Sequence, residues 1–246
     1  MKTKVAYIAD LDQDIDDIIA IEYLLKYDAL SYIVCDPEPI SEEGKQRLNK
    51  FILKGVAKFP EIQLGTEIVF CGGALTKVAE FLEAGNTLDT LVMNGGFVGN
   101  NIIVAEEQLP KFKYKEFVRT YNFNMDIEST KKVLSMPENK LSEIILVGKH
   151  LCHDEKNTIK GLWSSKFFKE LQEEYKFNSD KRLHDVLACH EGLSLLNIIP
   201  DSTYCDYKKL YPMNKEDTWG SAINNKLWKE NGATLYRKCQ VAVYYK

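Results

Sequence analysis

Apolar positions along this chain fall into short solid runs separated by longer stretches with helical spacing. KVAYIA (4–9) predicts a buried strand, and 16–27 predicts a helix with Ile18, Ile19, Ile21, Leu24 and Leu25 on one side. LSYIVC (30–35) predicts a second strand, ended by the breaker cluster DPEP. Residues 41–57, opening on SEEG, predict a helix, and EIVFC (67–71) a strand. GGALTKVAEFLEAG then reads as a glycine turn into a helix stopped at Gly85. TLVM (90–93) predicts a strand running into NGGFVGNN, and EIILVG (143–148) another. Residues 126–135, 164–176 and 182–196 predict helices, and the tail ATLYRKCQVAVYY alternates as a closing strand pair would.

Strands alternating with helices indicate an α/β fold, with a mostly parallel central sheet flanked by helices and a small C-terminal β element. No repeat, low-complexity tract or linker interrupts the pattern, so 1–246 is read as a single domain. In such sheets ligands bind beyond the carboxyl ends of the strands. Asp10, Cys71-Gly72-Gly73 and Met93-Asn94-Gly95-Gly96 all lie just past predicted strand ends, which brings them to one crevice.

Composition narrows the partners. The 246 residues are 45% hydrophobic and 28% charged, enough for a substantial core. A formal net charge of -4 with scattered Lys and Arg argues against nucleic acid as a partner. No apolar stretch approaches the roughly 18 residues of a membrane span, and the first apolar run meets Asp10 too early for a signal peptide. The six cysteines are dispersed with no CxxC pair, and read as free thiols of a cytoplasmic protein. Cys152-His153 lacks the further ligands of a zinc site.

The chemistry concentrates in DLDQDIDD, where Asp10, Asp12, Asp14, Asp16 and Asp17 fall between a buried strand and a helix. Two carboxylates about 4 Å apart repel by roughly 4 kcal/mol at an effective dielectric of 20. The helix dipole returns only about 0.3–1 kcal/mol for each anion in the first turn. Convergent carboxylates here therefore call for a hard, oxygen-ligated divalent ion. The alternative is a solvated helix N-terminus whose alternate residues point to opposite sides.

DLDQDIDD resembles the D-x-D-P-G-x-D-D signature of the nucleoside hydrolase family, which binds Ca²⁺ and cleaves the N-glycosidic bond of ribonucleosides. Four further stretches follow in the family's order. GALTKVA (73–79) is similar to G-P-L-T-N-x-A, and VMNGGFVGN (92–100) to a strand ending in M-G-G followed by G-N. YNFNMDIEST (121–130) resembles E-F-N-x-x-x-D-P-E-A, and LHDVLA (183–188) resembles H-D-P-L-A. The resemblance implies a Rossmann-like nucleoside hydrolase fold and a Ca²⁺ ion held by Asp12, Asp17, Asp185 and the Met93 carbonyl. It further implies Asp12 as general base toward a metal-bound water, and an oxocarbenium-like transition state. Asp16 and Asn122 would hold ribose hydroxyls, with Asn100 a looser candidate, and His184 would protonate the leaving base. The partner would be a small nucleoside or ribosyl compound, and a homo-oligomer is suggested by relatives. His190 reads as structural; His150 and His153 read as a surface loop or, alternatively, as the wall of a leaving-group pocket.

The pattern also breaks. Gln13-Asp14 replace the Pro-Gly, Cys35-Asp36 replace a Gly-Asn, and Thr120 stands where a glutamate would hold the sugar. Residues 58–67 join helix to strand directly, without the family's long insert over the base. These changes keep two other classes in view. One is a non-catalytic binder of a nucleoside or nucleotide; the other is a HAD-type Mg²⁺ phosphatase using Asp10, which lacks its later acidic pair. Asp14, in the family's glycine position, is expected to face solvent and do little.

Overall fold

The apolar runs pair side by side as a parallel sheet. The computed structural model describes residues 5–65, 67–215, 221–224 and 233–246; Lys4, in the first predicted strand, lies outside them. The described strands are β1 (Val5–Ala9), β2 (Leu30–Cys35), β3 (Ala57–Phe59), β4 (Ile68–Cys71), β5 (Leu88–Asn94), β6 (Leu141–Val147), β7 (Cys205–Lys215), β8 (Ser221–Asn224), β9 (Ala233–Leu235) and β10 (Cys239–Tyr245). The helices are α1 (Asp16–Lys26), α2 (Glu42–Leu53), α3 (Thr76–Glu83), α4 (Tyr121–Met125), α5 (Ile127–Ser135), α6 (Lys149–Cys152), α7 (Lys166–Tyr175) and α8 (His184–Leu195).

The sheet order is β3-β2-β1-β4-β5-β6-β10-β7-β8, with β9 also pairing β7. From β3 to β10 every pairing is parallel, and β7 then runs antiparallel to β10, β8 and β9. The predicted α/β fold and its C-terminal β element are therefore present. The closing element differs from the expected strand pair: 233–235 and 239–245 both pair with β7, not with each other. β7 itself is not evident in the sequence because CDYKKLYPMNK dilutes its alternation with lysines and a proline. The predicted helix 41–57 ends at Leu53, and the chain returns as the short edge strand β3.

β1 shows why the strands read as solid apolar runs. All five of its residues are buried, because both faces of the sheet are covered. Val5, Tyr7 and Ala9 join the core formed with α1, α7 and α8, while Ala6 and Ile8 join the core on the opposite face with α3 and α5. α1 and α8 pack on each other and on the sheet, so Asp16–Leu24 and Asp185–Ser194 are buried all round. Gly192 permits the close seat of α8, since a Cβ there would stand 2.7 Å and 2.8 Å from the Val92 methyls and 3.0 Å from Phe70 Cζ.

Buried polar groups fasten α8 at its far end. Glu191, wholly buried, accepts from Tyr204 N at 2.6 Å, Cys205 N at 3.3 Å and the Tyr207 hydroxyl at 2.8 Å. His190 is hydrogen-bonded to the Tyr23 hydroxyl at 2.6 Å and the Ser202 carbonyl at 3.0 Å, and stacks on Tyr204. These contacts agree with the structural reading of His190. All six cysteines are buried and free. Among the described residues no helix is long and apolar enough to cross a membrane.

Glu191→Ala strands three buried donors at the junction of α8 and β7. The expected cost is on the order of 3 kcal/mol, read as a lower urea midpoint with little change in slope.

Candidate functional site

At the carboxyl ends of β1, β4 and β5 a cavity of about 280 Å³ is lined by Asp10, Gln13, Asp14, Asp16, Asp17, Gly72, Asn94, Tyr121, Asn122, His184 and Asp185. The chain brings them together through three features. β1 ends at Ala9, just before Asp10, α1 begins at Asp16, and α8 begins at His184 and packs against α1.

Each carboxylate has a different environment. Asp17 Oδ1 accepts from the Tyr7 hydroxyl at 3.0 Å and from Asp10 N at 3.1 Å. Asp16 Oδ2 accepts from His184 N at 2.9 Å and Asp185 N at 3.4 Å, so a side chain of α1 caps the N-terminus of α8. Asp10 Oδ1 receives Asp12 N at 3.3 Å. The second oxygens of Asp10 and Asp16, and Oδ1 of Asp185, are buried without a partner.

Burial and mutual repulsion dominate the electrostatics. Burial lifts Asp16 to about 7, opposed by Lys181 and by the two backbone N–H groups it accepts. Asp17 and Asp185 are held well above the carboxylate range by burial and then by Asp16. Burial also raises Asp10. Three carboxylates so placed take up protons or a cation, because neither the N–H groups nor Lys181 offsets their desolvation.

Three expected site residues do not line the cavity. Asp12 does not line the cavity: its carboxylate accepts from Ser41 N at 2.9 Å and 3.1 Å and from Ser41 Oγ at 2.7 Å, at the N-terminus of α2. The strand ends before Asp10 and a turn follows, so the period of two that would align Asp10 with Asp12 lapses. In this conformation Asp12 is neither a ligand nor a base in the cavity. Met93 is wholly buried, with its side chain in the core, and does not line the cavity, whereas the neighbouring Asn94 and Gly72 do. Asn100 also lies off this cavity, with its backbone N bonded to the Lys115 carbonyl. Among the described residues no group of three or more His, Cys, Asp or Glu side chains is placed to hold a metal ion. The donor chemistry still suits a hard cation, since the three orphaned oxygens are carboxylates.

Asp16, Asp17, Asp185, Asn122 and His184 do line the cavity. Asn122 donates both amide hydrogens to backbone, to Gly72 O at 2.9 Å and Asn94 O at 3.0 Å, which ties the end of β4 to that of β5. Only its carbonyl remains for a sugar hydroxyl. His184 is pushed down to about 3 by burial, then by His153 and Lys181, so its imidazole is neutral at pH 7. Asp14 is exposed, as expected, but not idle: it pairs with Lys181 and accepts from Ile15 N at 2.6 Å.

A second cavity adjoins the first and shares Asn94, Tyr121, Asn122 and His184 with it. His153 and Lys149 line it, the His153 ring 5.1 Å from that of His184. His150 lines a separate cavity with Phe112 and Tyr245. The sequence reading brought Gly72 and Asn94 to the acidic crevice, and both line it, but it missed Tyr7, Tyr121, Lys149 and Lys181. Tyr7 alone carried a signal, since a tyrosine in a strand buried on both faces must find a partner for its hydroxyl.

Comparison with known proteins bears on this architecture. The crystal structure of an inosine-uridine preferring nucleoside hydrolase from Bacillus anthracis superposes with a TM-score of 0.62, covering 99% of this chain and 95% of that one, at 14% identity. The chain has a nucleoside hydrolase-like fold. At that identity the likeness shows the fold alone. An uncharacterized protein of Aquifex aeolicus is 28% identical over 127 residues, which is 48% of this chain and 43% of that protein, so the chain spans less than half the length of this relative. No family model matches the chain.

The raised carboxylates give a signed prediction. Groups raised on folding favour the folded state at low pH, and that contribution is lost as pH rises through the folded value. Without added metal, the melting temperature is expected to fall as pH rises from about 4 through about 7. Millimolar CaCl2 should flatten that decline above pH 7, as followed by scanning calorimetry.

Proposed function

We propose that this chain is a Ca²⁺-dependent hydrolase of ribosyl compounds, cleaving an N-glycosidic bond. The observation that carries the reading is the set of orphaned, buried carboxylate oxygens of Asp10, Asp16 and Asp185 around one cavity at the carboxyl ends of a nucleoside hydrolase-like sheet. Asp10, Asp17 and Asp185 would hold the ion. When bound, Ca²⁺ would orient the sugar hydroxyls and ease ionisation of water.

The chain's own residues supply the rest. Asp16 and the Asn122 carbonyl accept sugar hydroxyls. Asp10, whose Oδ2 is buried at the cavity wall without a hydrogen-bond partner among the described residues, would take the proton of the attacking water. Asp12 would reach the cavity only by leaving Ser41, and that single side-chain movement is the alternative source of the base. Positive charge developing on the sugar is stabilised by the surrounding carboxylates, as in other glycoside hydrolyses. His184 is neutral, so the acid role that the resemblance implies is not assigned to it; it lines the second cavity beside the departing base, which would take its proton from water.

Thr120 in place of the family's glutamate, together with Asp12 turned onto Ser41, favours one second reading, a protein that binds a ribosyl ligand without cleaving it. The phosphatase reading is not favoured, because Asp185 lies in the first turn of a helix and not at a strand end.

Hydrolysis of inosine, uridine and related ribosides, followed as released base, tests the proposal. EDTA is expected to abolish turnover and Ca²⁺ to restore it, and Asp17→Ala should lose metal binding in calorimetry. Asp10→Asn is expected to lower kcat about 10²–10⁴-fold, and Asp12→Asn by much less. The reverse order would assign the base to an Asp12 released from Ser41. Tight binding with every ligand recovered intact would favour the non-catalytic reading.

A further inference from the structure

We propose that the cavity beside the acidic pocket is an oxyanion subsite, so that the ribosyl compound taken by this chain carries a negative charge. The inference rests on the ribohydrolase reading for the placement of the ribosyl group and adds the class of its substituent.

The observation is a lysine on the wall of this cavity, with further cations close behind the wall and no carboxylate paired to them among the described residues. Lys149 lines this cavity half-buried, and among the described residues its amine donates to one neutral acceptor, the Arg119 carbonyl, at 2.7 Å. Next to it, His153 is held from both sides by cationic side chains. Lys111 Nζ meets its Nδ1 at 2.5 Å, and Arg182 Nε donates to its carbonyl at 3.0 Å. Among the described residues, none of Lys149, Lys111 and Arg182 is within ion-pair distance of a carboxylate. Elsewhere on this acidic chain lysines do find partners, as in Lys160–Asp180, Lys132–Glu83 and Lys181–Asp14.

The same groups repel one another. Burial lowers the Lys149 amine, and Arg119 and Lys115 lower it further. Lys111 is lowered by burial, then by Arg182 and Lys149. His153 is pushed to about 4 by burial, then by Lys111, Lys149 and Arg182. A partly desolvated amine facing like charges is an unfavourable arrangement for a neutral ligand, which would cover it without pairing it. An oxyanion would pair it, and charge-assisted hydrogen bonds from lysine are about twice as strong as neutral ones.

The subsite and the acidic pocket share Asn94, Tyr121, Asn122 and His184. One molecule can therefore span both, with its polyol on the carboxylate side and its anion on the lysine side. The oxyanion has two possible sources, a phosphate on the 5′ carbon of the sugar or a carboxylate on the leaving base.

The test uses the full chain in CaCl2 with uridine, inosine, their 5′-monophosphates and orotidine, the 6-carboxylate of uridine. At least a tenfold higher kcat/KM is expected for the anionic member of a pair. Preference for the monophosphates assigns a phosphate, and preference for orotidine a carboxylated base. Lys149→Met should shrink the preference at least tenfold, mainly through KM, and 0.5 M NaCl should weaken it. If uridine or inosine is cleaved as well as every anionic partner and Lys149→Met leaves the ratios unchanged, the subsite is overturned while the hydrolase reading stands. If nothing is cleaved but calorimetry shows Lys149-dependent binding of an anionic compound, the subsite stands and the hydrolase reading fails. Absence of both cleavage and binding overturns both.

Discussion

Where α1 and α8 begin, their first turns meet and bury Asp16, Asp17 and Asp185 against one another, and the site is organised around that contact. Helix N-termini favour anions, and Asp16 uses this by accepting the first N–H groups of α8. The gain is small beside the cost of desolvating three like charges. Tyr7 and the Asp10 backbone N–H supply two more hydrogen bonds to Asp17, and three carboxylate oxygens still have none. The junction is thus closed with protons bound or with a cation in place. Both helices are buried along nearly their whole length, so the charge state of this contact bears on how firmly they seat on the sheet.

The surroundings of that contact are divided by sign. Toward β1 and β4 the walls are carboxylates and backbone, with Asn122 tying Gly72 to Asn94 across the strand ends. Toward β6 the walls are Lys149, His153 and His184, with Lys111 and Arg182 behind them. The parallel order of the sheet produces this juxtaposition, because β4 and β5 stand between β1 and β6 and every strand delivers its following loop to the same edge. Lys181, three residues before His184, pairs with Asp14 of the acidic cavity.

Much of this frame was legible in the sequence. β1, β2, β4, β5 and β6 are short apolar runs because both faces of the sheet are covered, and α1, α3, α5, α7 and α8 carry helical spacing. Convergence of Asp16, Asp17, Asn122, His184 and Asp185 also followed from motif order. What failed was local. A spacing of two could not reveal that the turn after Asp10 sends Asp12 to Ser41, since Ser41 is distant in sequence and supplies both a backbone and a side-chain donor. Asn94 rather than Met93 reaches the cavity because β5 runs one residue further than its apolar pattern. Lys149 and Lys111 could not be grouped in advance, because only the fold places the loop after β5 beside the short helix after β6. β7 escaped because its lysines and a proline leave no apolar period.

The central claim is that a divalent cation replaces protons on the buried carboxylates. It is tested most directly by titrating the metal-free chain with CaCl2 at pH 7 in buffers of different ionisation enthalpy. The account predicts saturable binding with net proton release, a release that shrinks in Asp16→Asn. Binding without proton release, or no binding at millimolar Ca²⁺ by a chain that melts cooperatively, would contradict it.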